Sequence, residues 1–291
     1  MAFNVETFKT RSLTAIVFVI VMLAGLLVNN WSFFILFSVV NFGCWFEYQK
    51  LIALIDPGYK DLSFLHKYGV PVLGWSFMMF MTNSSYHIGH TPLKGLGFFV
   101  LMVLGILLMA VEIVFVKKLN TKKIGYSILG LLYISLSWGL MMNLRNIGWV
   151  IPVVLIAAIW INDTMAYIVG SFIGKTPFSK ISPKKTWEGT IGGMILCVLV
   201  IGFGVPYFLE KGSYYEYQAP YLKVNWFVIA TIAAIVGTVG DLLESKIKRM
   251  ANVKDSGSIM PGHGGFLDRF DSLVLATPFV WLYISLILKI I

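Results

Sequence analysis

The sequence predicts an all-α bundle of helices that cross a membrane. Hydrophobic residues occupy 58% of the 291 positions and charged residues only 13%, and the mean hydropathy is +0.81. In a soluble domain about a quarter of the residues are charged. Several apolar stretches also approach the roughly 20 residues that a helix needs to cross a hydrocarbon core of about 30 Å. These observations indicate a polytopic integral membrane protein.

Nine apolar segments predict about nine transmembrane helices. In chain order they are 12–29, 31–54, 69–82, 95–116, 124–142, 148–172, 190–209, 224–244 and 272–291. The third is short and fits a tilted or re-entrant helix. The second carries Glu47 and Lys50 near its end, so we expect that end to project into water. Cys44 and Cys197 lie inside apolar segments and are interpreted as small hydrophobic residues, without a disulfide or a zinc site.

The net charge of +9 predicts an orientation for the bundle. If the amino terminus is cytoplasmic, 18 of the 23 Lys and Arg residues fall on the cytoplasmic side, as the positive-inside rule expects. The same bias accounts for the charge without a nucleic-acid partner and suits anionic membrane lipids. The two long polar loops, 173–189 and 245–271, then face the cytoplasm.

Ionisable groups predict two regions of different function. Residues 1–150 are interpreted as a scaffold of transmembrane helices with possible dimer contacts, and 151–291 as the catalytic region. A charge at mid-span costs about 2.5–3.5 kcal/mol on insertion scales, so Asp163, which follows Asn162 in the sixth span, needs a reason. An interhelical hydrogen bond would be a purely structural one.

A second set of polar residues surrounds the end of the eighth span. Asp241 ends that span, and Ser245 and Lys248 follow at i+4 and i+7, on one face if the helix continues. Asp268 and Asp271 stand at i and i+3 where the ninth span begins. Adjacent carboxylates repel each other unless a cation lies between them, and Mg²⁺ often takes only one or two carboxylates. Helix ends that meet water, or acidic residues near a helix amino terminus, would explain the same pattern without a metal.

The segment KDSGSIMPGHGGFLDRFDS (254–272) connects these two helices. Its glycines, including Gly264 and Gly265, let backbone N–H groups approach an anion. The polar groups that suit phosphates here are Lys248, Arg249, Lys254 and His263. The loop SPKKTWEG (182–189) adds Lys184, Lys185 and Glu188, although such a run also anchors loops at a membrane surface. Together these features predict a magnesium-dependent site for a nucleotide or pyrophosphate at the cytoplasmic headgroup level.

The pattern from Ser245 to Asp271, S-x-I-K-R-x4-K-D-x-G-x3-P-G-H-G-G-x2-D-R-x-D, resembles the signature of the phosphatidate cytidylyltransferases, the CDP-diacylglycerol synthases. The segments NDTMAYIVG (162–170) and ISPKKTWEG (181–189) are similar to companion motifs of that family. The resemblance covers 150–291 strongly, whereas the first half is similar only as a bundle of apolar helices.

The resemblance implies a membrane enzyme of phospholipid synthesis that converts CTP and phosphatidic acid to CDP-diacylglycerol and pyrophosphate. It implies Mg²⁺ held by Asp241 and Asp268, with Asp271 supporting them or a second cation. Lys248, Arg249, Lys254 and Arg269 would neutralise phosphates, and Ser245, Asp255 and His263 would orient ligands. It also suggests a homodimer, and the short amino terminus favours a bacterial inner membrane.

Two other functions are consistent with the sequence. One is a related CTP-dependent enzyme that acts on another lipid phosphate or on a polyprenol, and an alcohol acceptor would then require a general base. The other is an ion-coupled transporter, since carboxylates inside spans also mark ion paths. The polar groups crowd one rim of one half of the chain, unlike the paired halves with broken helices typical of transporters.

Overall fold

The computed structural model describes residues 5–114, 121–211, 223–259 and 264–287. Within these ranges the chain forms ten α-helices, which we number in order. They are α1 (Val5–Leu27), α2 (Asn30–Ile55), α3 (Phe64–Phe80), α4 (Leu93–Val114), α5 (Thr121–Gly130), α6 (Leu136–Ile147), α7 (Val150–Ile173), α8 (Trp187–Lys211), α9 (Lys223–Met250) and α10 (Leu267–Ile287). A π-helical turn (Leu131–Ser135) joins α5 to α6, and a 3₁₀ turn (Pro57–Asp61) follows α2. A two-residue hairpin pairs β1 (His87–Ile88) with β2 (Thr91–Pro92).

Six helices are long and apolar enough to cross a membrane, counted over the described residues. They are Leu93–Val111, Thr121–Ile147, Val150–Ile173, Trp187–Lys211, Lys223–Met250 and Leu267–Ile287. The predicted class, an all-α polytopic membrane protein, is confirmed. The first three predicted spans correspond to α1, α2 and α3, whose crossing of the membrane, like the count of nine, stays a prediction.

Contacts divide the chain into two units. The first contains 1–146 and 247–270, and the second contains 147–246 and 271–291. The glycine-rich segment before α10 therefore belongs by contact with the amino-terminal helices, although the sequence grouped it with the carboxy-terminal region. The predicted division into scaffold and catalytic regions concerns function and stays a prediction.

In the first unit, α2 supplies much of the core. Its start is fixed by a reciprocal cap, in which the Asn29 side chain accepts from the Ser32 backbone N–H at 2.8 Å and Ser32 Oγ accepts from Asn29 N–H at 3.0 Å. The fully buried Trp45 donates its indole N–H to Ser135 Oγ at 2.8 Å. Cys44 is also buried here and is in no disulfide among the described residues.

In the second unit, α7 and α8 approach each other closely because their contact is made of small residues. A Cβ added at Gly193 would lie 2.7 Å from the backbone nitrogen of Ala166, and one at Gly189 would lie 2.7 Å from its carbonyl oxygen. Close approach of backbones through small residues is a common way for membrane helices to associate. The segment between α7 and α8 links the end of α7 to the start of α8, and these two helix ends lie next to each other. Cys197 is buried and free in this unit.

Candidate active site

A cavity of about 470 Å³ lies in the second unit, within the range of about 300–1,000 Å³ typical of small-molecule sites. Residues from α7, α8, α9 and the segment before α8 line it. They are Asn162, Asp163, Ala166, Tyr167, Gly170, Ser171, Ser182, Lys184, Lys185, Thr186, Thr190, Thr238 and Asp241. The cavity thus brings together five residues that the sequence predicted for the site, from three separate segments of the chain.

Opposite charges face each other in this cavity. Lys185, from the segment before α8, forms an ion pair with the carboxylate of Asp241 on α9, and both side chains are only partly exposed. Ser245 Oγ donates to the other oxygen of Asp241 at 3.3 Å, one helical turn further along α9. Asp163 on α7 adds a second carboxylate to the same cavity. This arrangement has the charges needed to hold both a cation and phosphate groups.

Asn162 contributes a polar atom without a partner. Its side chain is only 4% exposed, and its Oδ1 atom has no hydrogen-bond partner among the described residues. A buried polar atom left without a partner costs free energy, so a hydrogen bond from a ligand or an ordered water to this oxygen would be stabilising.

Glu188 stabilises the segment that carries the two cavity lysines. Its carboxylate accepts hydrogen bonds from the backbone N–H of Lys175 at 3.1 Å and of Thr176 at 3.1–3.2 Å. A bridge between Pro177 and Thr186 closes the same segment. The sequence proposed Glu188 as a substrate ligand, but the structure places its carboxylate against the backbone, where it shapes the loop that presents Lys185.

Asp268 is the centre of a second polar cluster, in the first unit. Its Oδ1 atom accepts from Lys248 Nζ at 2.6 Å. Its Oδ2 atom accepts from Ser256 N–H at 2.9 Å and Gly265 N–H at 2.8 Å, and it lies 2.9 Å from Ser256 Oγ. Both members of the ion pair are largely buried, with side-chain exposures of 12% for Lys248 and 9% for Asp268. The carboxylate predicted to hold a metal therefore also organises its own loop.

Glu47 on α2 completes this cluster, and the prediction that this part of α2 projects into water is wrong for it. The residue is 1% exposed. Its carboxylate accepts from Ser256 Oγ at 2.6 Å, from Phe266 N–H at 2.9 Å and from Leu267 N–H at 2.9 Å. Lys50, one turn later, is exposed as predicted. The only sign of this role in the sequence is that Glu47 is a carboxylate within an apolar helix, and that position was interpreted as a helix end in water.

The remaining predicted residues occupy the surface of these segments. Arg249 donates to the Val253 carbonyl at 3.2 Å, and Lys254, Asp255 and Arg269 are exposed. Asp271 Oδ1 accepts from the N–H of Ser272 at 2.6 Å. His263 lies outside the described residues. α9 continues without a break to Met250, as the predicted helical spacing of Asp241, Ser245 and Lys248 requires.

Whether these groups suit a magnesium ion depends on their donor atoms. Among the described residues, no group of three or more His, Cys, Asp or Glu side chains is placed to hold a metal. Mg²⁺ often needs only one or two carboxylates, because water and substrate phosphates fill its other positions. Asp163, Asp241 and the unpartnered oxygen of Asn162 offer such an oxygen donor set in one cavity. The cavity residues therefore fit the predicted ion.

Comparison with known proteins gives the family. The profile of the cytidylyltransferase family matches residues 9–287. The chain belongs to the cytidylyltransferase family. This match confirms the family predicted from the motifs between Asn162 and Asp271, and it extends to the first half of the chain, where the motifs gave no information. The chain is therefore a nucleotidyltransferase.

Curated relatives of this cytidylyltransferase share one name. Phosphatidate cytidylyltransferase of Bacillus subtilis is 31% identical over 286 residues, which cover 96% of this chain and 98% of the relative. The protein of the same name from Synechocystis is 42% identical over 144 residues, or 50% of this chain and 46% of the relative. Human phosphatidate cytidylyltransferase 1 is 34% identical over 171 residues, or 45% of this chain and 37% of the relative. The chain thus spans nearly all of the first relative and about half or less of the other two.

Proposed function

We propose that this cytidylyltransferase transfers the cytidylyl group of CTP to the phosphate of phosphatidic acid, forming CDP-diacylglycerol and releasing pyrophosphate for phospholipid synthesis. The full-length similarity to the Bacillus subtilis enzyme supports this acceptor. The observation that carries the proposal is the cavity of the second unit, where Lys184 and Lys185 face Asp163 and Asp241.

The cavity supplies what this transfer requires. An oxygen of the lipid phosphate forms a bond to the α-phosphorus of CTP, and the bond from that phosphorus to the bridging oxygen of pyrophosphate breaks. A phosphate monoester has its second pKa near about 6, so the attacking oxygen is already ionised at neutral pH and needs no general base. Such transfers depend on positioning and on neutralising charge. Lys184 and Lys185 are placed to do both.

We propose that Asp241 holds Mg²⁺ together with Asp163, and that Asn162 Oδ1 contributes through its unpartnered lone pairs. When bound, the ion would neutralise charge on the phosphates of CTP. The ligand set that the resemblance implies, Asp241 and Asp268 with Asp271 supporting them or a second cation, stays a prediction. Ser245 donates to Asp241 and orients its carboxylate.

The rim of the cavity suits a lipid substrate. Tyr167 lines the cavity and is 77% exposed, and Phe172, further along α7, is 84% exposed. In a membrane-spanning helix, exposed aromatic side chains near the polar end sit at the headgroup level. A lipid whose acyl chains remain in the bilayer can therefore present its phosphate to Lys185 from the side.

We propose that the amino terminus and the segments 173–189 and 245–271 face the cytoplasm of a bacterial inner membrane. The excess of Lys and Arg in these segments supports this orientation. Single cysteines introduced at the exposed Lys180 and Lys254, in a variant without Cys44 and Cys197, test it. A membrane-impermeant maleimide should label both sites only in inside-out vesicles, and labelling in right-side-out vesicles would refute the orientation.

We also propose that the enzyme is a homodimer. The family resemblance of the segment from Ser245 to Asp271 supports it. Mass photometry in nanodiscs should give a protein mass of two chains, about 65 kDa from the 32.6 kDa monomer. A single-chain mass at every concentration would exclude the dimer.

The activity itself is tested with purified protein in detergent, phosphatidic acid, magnesium and radiolabelled CTP. Label should enter chloroform-soluble lipid and pyrophosphate should appear in equal amount. A matched series with diacylglycerol and a polyprenol in place of phosphatidic acid separates a phosphate acceptor from an alcohol acceptor. Product from an alcohol alone would replace the proposed reaction by a kinase reaction or another transfer.

A further inference from the structure

We propose that Glu47, in the amino-terminal half of the chain, is a positioning residue for catalysis because it holds the two ends of the segment 256–267 in place, at Ser256 and at Phe266 and Leu267. This inference rests on the proposed function and deepens it. It assigns a role in the reaction to α2, which the sequence interpreted as scaffold. The argument depends only on contacts within the first unit.

The carboxylate of Glu47 connects the two ends of this segment. At one end it accepts from Ser256 Oγ at 2.6 Å, and at the other from the backbone N–H groups of Phe266 and Leu267, each at 2.9 Å. The two oxygens have different donors. Oε1 accepts from Phe266 N–H, and Oε2 accepts from Ser256 Oγ and from Leu267 N–H. A buried carboxylate is tolerated when hydrogen bonds replace its hydration, and here all three donors come from the segment.

The segment is fitted to this carboxylate in shape as well. A Cβ added at Gly257 or Gly265 would collide with the carboxylate of Glu47. On the same face of α2, one turn before Glu47, Gly43 leaves room for the ring of Phe266, which a Cβ there would overlap. α2 therefore contacts the segment at two positions. Gly43 leaves space for the ring of Phe266, and Glu47 accepts the segment's hydrogen bonds.

Ser256 connects Glu47 to the ion pair of Asp268 and Lys248. Ser256 Oγ lies 2.6 Å from Glu47 Oε2 and 2.9 Å from Asp268 Oδ2. Asp268 in turn holds Lys248 Nζ at 2.6 Å. The single hydroxyl hydrogen of Ser256 is donated to Glu47, the shorter contact, and Ser256 holds Asp268 through its backbone N–H, which donates to Oδ2 at 2.9 Å. A change at Glu47 that moves Ser256 therefore displaces one of the donors that fix the Asp268 carboxylate and, through it, the ammonium of Lys248.

Glu47→Gln tests this role with almost no change of shape. An amide has one oxygen, so its NH₂ group must face either Phe266 N–H or the Leu267 and Ser256 donors. Because donors then meet donors, we expect the segment to open locally. The kcat should fall by about ten-fold or more while the KM for CTP changes by less than about three-fold. Glu210→Gln, at an exposed glutamate paired with Lys223, is the matched control and should retain wild-type kcat.

Amide hydrogen exchange separates positioning from general loss of stability. In Glu47→Gln, exchange should accelerate in peptides covering 256–267 and stay unchanged in α8, because local and global opening have different free energies. Ser256→Ala should lower kcat as well, and the double variant should lose little more than either single one, since residues that act as a unit are not additive.

Three results would overturn the inference. They are wild-type kcat in Glu47→Gln, a loss of kcat with unchanged exchange at 256–267, and a loss accompanied by faster exchange throughout the protein. An inactive wild type would instead refute the proposed function. The exchange comparison would still show whether Glu47 holds the segment.

Discussion

The hydroxyl of Ser256 donates to the carboxylate of Glu47 at 2.6 Å, across 209 positions of sequence. This hydrogen bond attaches a glycine-rich segment near the carboxy terminus to the second helix of the chain. Both residues are 1% exposed, so the contact forms inside the protein and not at its surface. Helix α2 thereby contacts both ends of a segment that carries the family's motif.

Gly265→Ala should abolish most activity. A Cβ at this position would overlap the carboxylate of Glu47, and either the segment or α2 would have to shift. We expect turnover to fall by about a hundred-fold or more, with a lower melting temperature, because overpacking also destabilises. Gly204→Ala is the control, since an added Cβ on α8 meets nothing within 4 Å. Normal turnover by Gly265→Ala would show that the segment does not need this fit.

Gly264→Ala should fail for a different physical reason. Gly264 has a φ of +80°, which side-chain-bearing residues adopt only with strain, and an added Cβ would also collide with Asp268 Oδ2. We expect activity to fall about ten-fold or more even where the folded fraction, measured by size-exclusion chromatography, stays normal. Gly264→Asn tests the backbone part alone, because Asn tolerates positive φ better than Ala. Equal activities of the Ala and Asn variants would count against a role for backbone strain.

Lys185→Gln should weaken catalysis more than Lys180→Gln. Lys185 pairs with Asp241 inside the cavity, whereas Lys180 is an exposed residue of the same loop that does not line it. We expect kcat/KM for CTP to fall about ten- to a hundred-fold in Lys185→Gln, or roughly 1.4–2.8 kcal/mol of transition-state stabilisation. Steady-state kinetics with both variants provide the measurement. Equal effects would assign the lysines to general surface charge.

Glu188→Gln should loosen the cavity loop without removing a ligand. Oε2 of the carboxylate accepts from both Lys175 N–H and Thr176 N–H, and Oε1 accepts from Thr176 N–H as well, so an amide keeps one acceptor there but loses the second acceptor and the negative charge. We expect faster hydrogen exchange at 174–186 and a moderate, several-fold loss of turnover, larger in Glu188→Ala. If CTP binding were lost completely while exchange stayed normal, Glu188 would be a substrate ligand, as the sequence first predicted.

Removal of divalent cations should stop the reaction. EDTA is expected to abolish product formation, and added Mg²⁺ to restore it. Asp241→Asn should raise the Mg²⁺ concentration for half-maximal activity about ten-fold or more, since it removes a charged oxygen ligand. Asp61→Asn, at an exposed aspartate of the 3₁₀ turn, should behave as wild type. Full turnover in EDTA would eliminate the proposed metal role of Asp163 and Asp241.

Much of the site was predictable from local sequence. Charged residues in apolar spans cost free energy, so Asp163 and Asp241 were each predicted as site residues from their own segment. The spacing of the motifs predicted the family that the profile match confirms. The structure adds that both line one cavity with Lys185. The sequence predicted Glu188 as a substrate ligand but not its contacts with the backbone N–H groups of Lys175 and Thr176, because a carboxylate that binds backbone N–H groups and one that binds a substrate have the same identity and similar neighbours.

Composition and periodicity by themselves determined that this chain is a bundle of membrane helices, and they predicted that its chemistry lies in the polar segments of the second half. They do so because hydrophobicity and helical spacing are local properties, readable within a window of about 20 residues. Only the tertiary structure decided what Glu47 does. Its partners, Ser256, Phe266 and Leu267, lie more than 200 positions away in the sequence. In the sequence Glu47 resembles a residue at an exposed helix end, whereas in the fold it is buried and accepts hydrogen bonds from these three residues.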